Sequence, residues 1–220
     1  ANAINTTTEQ PYFKPYTTIE RGGVKIAVLG LITPAIPQWL PEKIWSGMRF
    51  EDMIETAQKW VKKIRKTEQP DLMIGLFHAG VDYTYNDQNE STYKNENAAK
   101  LVADKVDGLD VVFVGHDHAG WNIKTKNPSG KDVLILGTTA GARNVAVANY
   151  VLKYDKMCMI YDKKEIKGEL VDMKNYVPDA EFMNRYKNNF EEVKNYVSRP
   201  VGEFSEIISS RDAMFGPSKF

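Results

Sequence analysis

His78, His116 and His118 are the only imidazoles in the 220-residue chain, and each stands where an apolar run gives way to polar residues. His78 follows Asp71-Leu72-Met73-Ile74-Gly75-Leu76-Phe77; the other two follow Leu109-Asp110-Val111-Val112-Phe113-Val114-Gly115. One histidine in such a place is commonly a hydrogen-bonded structural residue. Three at the ends of buried strands, with none elsewhere, make a donor set for a metal ion. Neutral imidazole suits zinc, manganese, iron or nickel rather than an all-oxygen calcium cage. Gly115 permits a tight exit from its strand, and a His-x-His pair in extended backbone would present both rings to the same side. Asp117, between them, would then point the other way, to bond local backbone or support a ligand from behind.

The elements that must position these residues read as α/β. Val24 to Ile32 is nearly continuously apolar and predicts a strand buried on both faces, ended by Thr33-Pro34. From Phe50, apolar residues at three- and four-residue steps through Ile64, acidic at the start and basic at the end, predict an amphipathic helix. Asp71–Phe77 predicts a second strand, Val81–Lys94 a polar loop, Glu96–Val106 a helix and Leu109–Val114 a third strand. Two β–α–β units in succession imply a largely parallel sheet with the strand ends along one edge, where ligand sites form, so the histidines should be neighbours. Beyond Gly120, the runs Val133–Leu136, Val145–Tyr154 and Met157–Val171 predict an antiparallel meander in a second sheet, with turns at Asp155-Lys156 and Asp162-Lys163-Lys164. A charged helix from Asp179 to about Val197 should close the compact region before a boundary at Arg199-Pro200.

Composition excludes several classes. Lysine plus arginine equals aspartate plus glutamate at 29 each, so net charge gives no reason to expect a nucleic-acid duplex or an anionic membrane as partner. The single cysteine, Cys158, cannot form an internal disulfide and reads as a small core hydrophobe within Met157-Cys158-Met159-Ile160. No run of eighteen apolar residues and no export signal stands in the chain, which also lacks an initiating methionine.

Gly115-His116-Asp117-His118 after an apolar strand resembles the Gly-His-x-His motif of calcineurin-like metallophosphoesterases, and Phe77-His78-Ala79-Gly80 is similar to their preceding single-histidine motif. The resemblance is more specific to the 5′-nucleotidase / 2′,3′-cyclic-nucleotide 2′-phosphodiesterase branch. Phe13-Lys14-Pro15-Tyr16, Gly23 to Leu31, Thr33-Pro34, Glu96-Asn97-Ala98-Ala99 and Ser210-Arg211-Asp212-Ala213-Met214-Phe215-Gly216-Pro217 resemble that branch in the same order. What this implies is part of a four-layer β-sandwich flanked by helices, with mixed parallel and antiparallel strands. It also implies a site for two divalent ions such as zinc, manganese or iron, with His78 and His116 on one and His118 on the other.

The family's remaining ligands come from an earlier half carrying Asp-x-His and Asn-His-Glu motifs, which this sequence does not contain. The resemblance therefore reads residues 1–198 as the C-terminal half of the phosphoesterase domain and 199–220 as a linker and the start of a nucleotide-binding domain. It assigns no catalytic side chain here and leaves the substrate-binding residues unknown. Tyr83, Tyr85, Tyr93 and Arg143 are candidates for substrate contact, against ordinary surface packing and salt bridging. The implied reaction is attack of metal-activated water on a nucleoside monophosphate or 2′,3′-cyclic nucleotide, in an exported parent in the periplasm or at the cell surface. The isolated chain is expected to be inactive, with no metal bound, and to self-associate, as a homodimer for example, through its exposed sheet. The alternative is a non-catalytic metal-binding or scaffolding module. A metallo-β-lactamase-like site would require Asp-His after His118, where Ala119-Gly120-Trp121 stands.

Overall fold

The computed structural model describes residues 1–155 and 160–203. The chain forms two compact units, Ala1–Lys174 and Asn175–Phe220. In the first, β1 (Ala3–Asn5) leads to β2 (Tyr16–Arg21) and β3 (Val24–Ile32), then two single-turn helices, α1 (Ile36–Trp39) and α2 (Glu42–Trp45), and β4 (Met48–Phe50). There follow α3 (Met53–Thr67), β5 (Leu72–His78), α4 (Ala99–Lys105), β6 (Val111–Val114), β7 (Trp121–Lys126), β8 (Asp132–Gly137), β9 (Asn144–Asp155) and β10 (Ile160–Asp172).

Six strands make one mixed sheet in the order β2-β3-β5-β6-β8-β7. Its centre, β3-β5-β6-β8, is parallel, and the two outer strands run antiparallel to their neighbours. Aspartates stitch the start of successive parallel strands: Asp71 Oδ2 accepts Lys25 N–H at 2.7 Å, and Asp110 Oδ2 accepts Met73 N–H at 2.7 Å. Arg65 of α3 donates to the Asp110 carboxylate at 2.9 Å and to the carbonyls of Gly108 and Pro70, which ties the helix to the same corner.

Three expectations are corrected. Phe50 lies in β4, paired with β1, and α3 starts only at Met53, because Asp52 caps it by accepting the N–H groups of Ile54 and Glu55. β8 belongs to the main sheet, parallel to β6, and not to a second antiparallel sheet; of the expected meander, β9 and β10 alone form a separate sheet. Asp162-Lys163-Lys164 is not a turn but part of β10, with a register shift between Lys163 and Glu165. The turn expected at Asp155-Lys156 and the core role expected of Cys158 lie outside the described residues.

The two faces of the main sheet are unequal. On one, Ala27, Leu29, Leu31, Met73, Val112 and Ile135 pack beneath α3 and α4, as the amphipathic spacing of α3 requires. On the other, the β9–β10 hairpin covers Val111, Leu134 and Leu136 through Ala146, Ala148, Tyr150, Ile166 and Leu170. The hairpin cover does not extend over β3, so that strand alternates between buried and half-buried positions instead of being buried on both sides. Leu76 of β5, next to it, is 57% exposed. An apolar cleft of about 660 Å³ opens there, lined by Ile32, Leu76, Phe113 and, from the α1–α2 segment, Ile36, Leu40 and Ile44.

Tyr150, under the hairpin, has its phenol pKa raised by burial and by the Asp110 carboxylate, with Arg65 opposing. The folded chain thus holds this proton more tightly than the unfolded chain, whose tyrosine ionises near pH 10. Stability present at neutral pH should fall as pH rises above about 10. Tyr150→Phe is expected to flatten that alkaline limb in urea melts run between neutral and high pH.

In the second unit, α5 (Ala180–Val197) is capped by Asp179, whose side chain accepts Phe182 N–H at 2.7 Å. Phe182, Tyr186, Phe190, Val193 and Val197 along one stripe of this helix are all exposed. It ends two residues before the expected boundary at Arg199-Pro200.

Candidate metal centre

His78 is the last residue of β5, in register with Ile32 of β3, and its carbonyl accepts Thr33 N–H at 2.8 Å. One strand over, β6 stops at Val114, and Gly115 donates its N–H to the Phe77 carbonyl at 3.1 Å, so the turn carrying the other histidines is pinned to the strand carrying the first. The rings of His78 and His116 meet edge to face with centroids 5.4 Å apart. A Cβ built on Gly115 would lie 3.6 Å from His78 Nδ1, at ordinary van der Waals contact, so the turn passes close against the His78 ring.

The His116–His118 segment is not extended, contrary to the expectation for a His-x-His pair. Both histidines have positive φ, 87° and 54°. Non-glycine residues reach that region only when their surroundings hold them there, and such residues concentrate at functional sites. Asp117 supplies part of the hold: Oδ2 accepts Val81 N–H at 3.0 Å and Trp121 Nε1–H at 2.8 Å, and Oδ1 accepts Ala119 N–H at 3.3 Å. Asp117 thus braces the turn, in keeping with its expected backbone-bonding role.

Two contacts on His116 carried no sequence signal. Its Nε2 lies 3.0 Å from Glu96 Oε1, and Trp39 of α1 stacks on its ring at 4.9 Å. Glu96 stands 20 positions away, before α4, and only the folded chain brings the two together.

The turn after His78 is equally constrained. Asn97 is buried; its amide donates to the Asp82 carbonyl at 3.0 Å, while its Oδ1 lies against Gly80 with no donor. A Cβ on Gly80 would meet that oxygen at 2.4 Å. Gly80→Ala is therefore expected to destabilise the chain by about 1–3 kcal/mol through overpacking, measured by chemical denaturation. Moving Asn97 away would disturb the turn that leaves His78.

Burial, and then the charges that His116 and His118 could carry, hold the His78 pKa below the ordinary histidine value. A neutral imidazole with a free lone pair is the form that binds a cation. The donor chemistry accordingly fits a divalent transition ion, but as part of a shell: among the described residues, no three His, Cys, Asp or Glu side chains converge on one point. Of the candidate substrate residues, Tyr83 and Tyr85 line a cavity of about 710 Å³ with Glu96, Lys100, His116 and Trp121. Tyr93 is 65% exposed and is not among that cavity's walls. Arg143 is exposed, beside Asn144 and Asp172.

No family model matches the chain. Among curated proteins, it is 26% identical to the 2′,3′-cyclic-nucleotide 2′-phosphodiesterase/3′-nucleotidase of Haemophilus influenzae, over 96% of this chain and 34% of the relative. It is 30% identical to an apyrase of Tabanus yao, over 62% of this chain and 25% of the relative. The chain thus spans about a third of the length of the cyclic-nucleotide phosphodiesterases it matches. Among solved structures, the calcineurin-like phosphoesterase YfkN of Bacillus subtilis superposes with TM-score 0.73 at 20% identity, over 90% of this chain and 63% of that one. The 5′-nucleotidase precursor of Thermus thermophilus superposes with TM-score 0.64 at 19% identity, over 92% of this chain and 39% of that one. Along nearly its whole length, the chain is homologous to 2′,3′-cyclic-nucleotide 2′-phosphodiesterase/3′-nucleotidase proteins, and it carries the fold of the calcineurin-like phosphoesterases.

Proposed function

We propose that this chain is the C-terminal half of a two-metal phosphoesterase domain that hydrolyses nucleoside monophosphates or 2′,3′-cyclic nucleotides, and that it does not complete the reaction alone. The observation that carries the reading is the meeting of His78 and His116 at the ends of adjacent parallel strands, with ring centroids 5.4 Å apart. Homology over 96% of the chain to proteins that act on such substrates supports it. His78 and His116 would hold one divalent ion and His118 a second. Bound ions of this kind activate water and stabilise charge on phosphoryl oxygens. The chain's own contribution is to hold the imidazoles at a braced strand edge, with burial favouring the neutral form of His78. Residues 199–220 would be a linker and the start of a nucleotide-binding domain, and the parent would be exported. No described helix is long and apolar enough to cross a membrane.

The deciding assay compares the isolated chain with the longer parent protein, on a 2′,3′-cyclic nucleotide and on nucleoside monophosphates, with manganese or zinc. The parent should turn over and lose activity on His116→Ala; the isolated chain should not. Turnover by the isolated chain at ~1 per second or faster would overturn its incompetence, and an inactive parent would overturn the phosphoesterase reading. In that case a non-catalytic module stands, a reading favoured by the incomplete convergence of donors in the described residues.

The open apolar cleft bears on behaviour in solution. Leu76 and Ile44, at 57% and 58% exposed, belong to one contiguous apolar surface of the kind that drives association. Sedimentation at micromolar concentration is expected to show species larger than the monomer, and Leu76→Lys to shift them toward it. A clean monomer in both would mean that the cleft does not associate.

A further inference from the structure

We propose that Glu96 is the positioning residue for His116: its buried carboxylate accepts the Nε2 proton, fixes the imidazole in one orientation and tautomer, and leaves the Nδ1 lone pair for a cation. The toward-cation part rests on the proposed function; the hydrogen bond and the tautomer do not.

The Glu96 side chain is 7% exposed and His116 Nε2 lies 3.0 Å from its Oε1. A carboxylate removed from water needs a donor, and an imidazole N–H is the one this geometry provides. An Nε2–H facing a carboxylate requires that the free lone pair of the neutral ring be on Nδ1. Trp39, stacked on the ring at 4.9 Å, limits its tilt, and Asp117 braces the turn that carries it at positive φ. Glu96 is itself fixed, its N–H donating to Gln88 Oε1 at 2.9 Å, and it is flanked by the bonds of Asn97 N–H to Asn95 Oδ1 and of the Asn97 amide to the Asp82 carbonyl. A carboxylate behind a ligating histidine raises its basicity and fixes its direction, and losing one typically weakens metal binding 10–100-fold.

Two measurements on the intact chain decide the matter. In metal-free protein at mildly alkaline pH, the His116 Nε2–H should give a downfield, slowly exchanging imidazole proton resonance, absent in Glu96→Ala and retained but shifted in Glu96→Gln. In a cobalt or zinc titration, Glu96→Ala should bind roughly 10–100-fold more weakly than wild type, with Glu96→Gln between them and circular dichroism unchanged. A resonance that persists in Glu96→Ala overturns the positioning role, as does metal affinity that falls on His78→Ala but not on Glu96→Ala. If wild type and His78→Ala bind metal equally, the metal reading of the site fails, while the resonance still decides the role of Glu96. Should Glu96→Ala fail to fold, the shift in Glu96→Gln decides it.

Discussion

Replacing Asp110 by alanine is expected to destabilise the first unit by about 3 kcal/mol, measured by urea denaturation. The carboxylate sits at the junction of α3, β5 and β6, accepting Met73 N–H at 2.7 Å and Arg65 Nη2–H at 2.9 Å. Met73 is fully buried, so its N–H would lose an acceptor with no water to replace it, at a cost of about 1–3 kcal/mol. The ion pair adds less than a buried pair would, because the side chains are 31% and 15% exposed, and solvent screens part of the attraction. Arg65 would keep its bonds to Gly108 and Pro70, so α3 should stay docked while the start of β6 loosens. Asp110→Asn, which can still accept from Met73 but turns a neutral group toward Arg65, should lose roughly half as much. A loss below about 1 kcal/mol for the alanine variant would show that the corner is redundant.

A second large loss is expected from Ile135→Ala in β8, about 3–4 kcal/mol. Ile135 has no exposed surface and pairs with Val112 of β6 on one side and Ile123 of β7 on the other. Its neighbours on the buried face belong to a rigid sheet and two helices, so the surrounding atoms can collapse only partly into the space. Ile135→Val, removing a single methylene, should cost about 1 kcal/mol. Equal stability of the alanine variant and wild type would mean that β8 contributes little to the core.

Much of this architecture was legible in the residues. The runs around Ala27, Met73 and Val112 specified parallel strands because such strands bury apolar side chains along their length. The spacing from Met53 to Ile64 specified the helix that covers them. β8 was misplaced because the connection from β6 contains no helix: the chain runs out through β7 at the sheet edge and back, and nothing in Val133–Leu136 states which neighbour it will take. β7 itself, Trp-Asn-Ile-Lys-Thr-Lys, has the period-two alternation of a half-buried strand and could have been found from it. At the site, the three histidines were found by type and position. The left-handed backbone of His116 and His118, and the approach of Glu96 and Trp39 to His116, are tertiary facts with no local signature.

The pairing of β5 and β6 on both edges has a consequence for motion. Amides flanked by strands on each side exchange with solvent only when the sheet itself opens, so those of Leu76, Phe77 and Val114 should be among the slowest in the chain. Residues 82–94, by contrast, are held largely by side-chain bonds from Asn95 and Asn97 and by single backbone contacts, and such segments open at a fraction of the global free energy. His78 is seated at the end of the slow framework and Gly115 pins the neighbouring turn to it, while the loop above belongs to the fast one. The loop can therefore open many times over during one unfolding lifetime without the strand end that carries His78 being rebuilt.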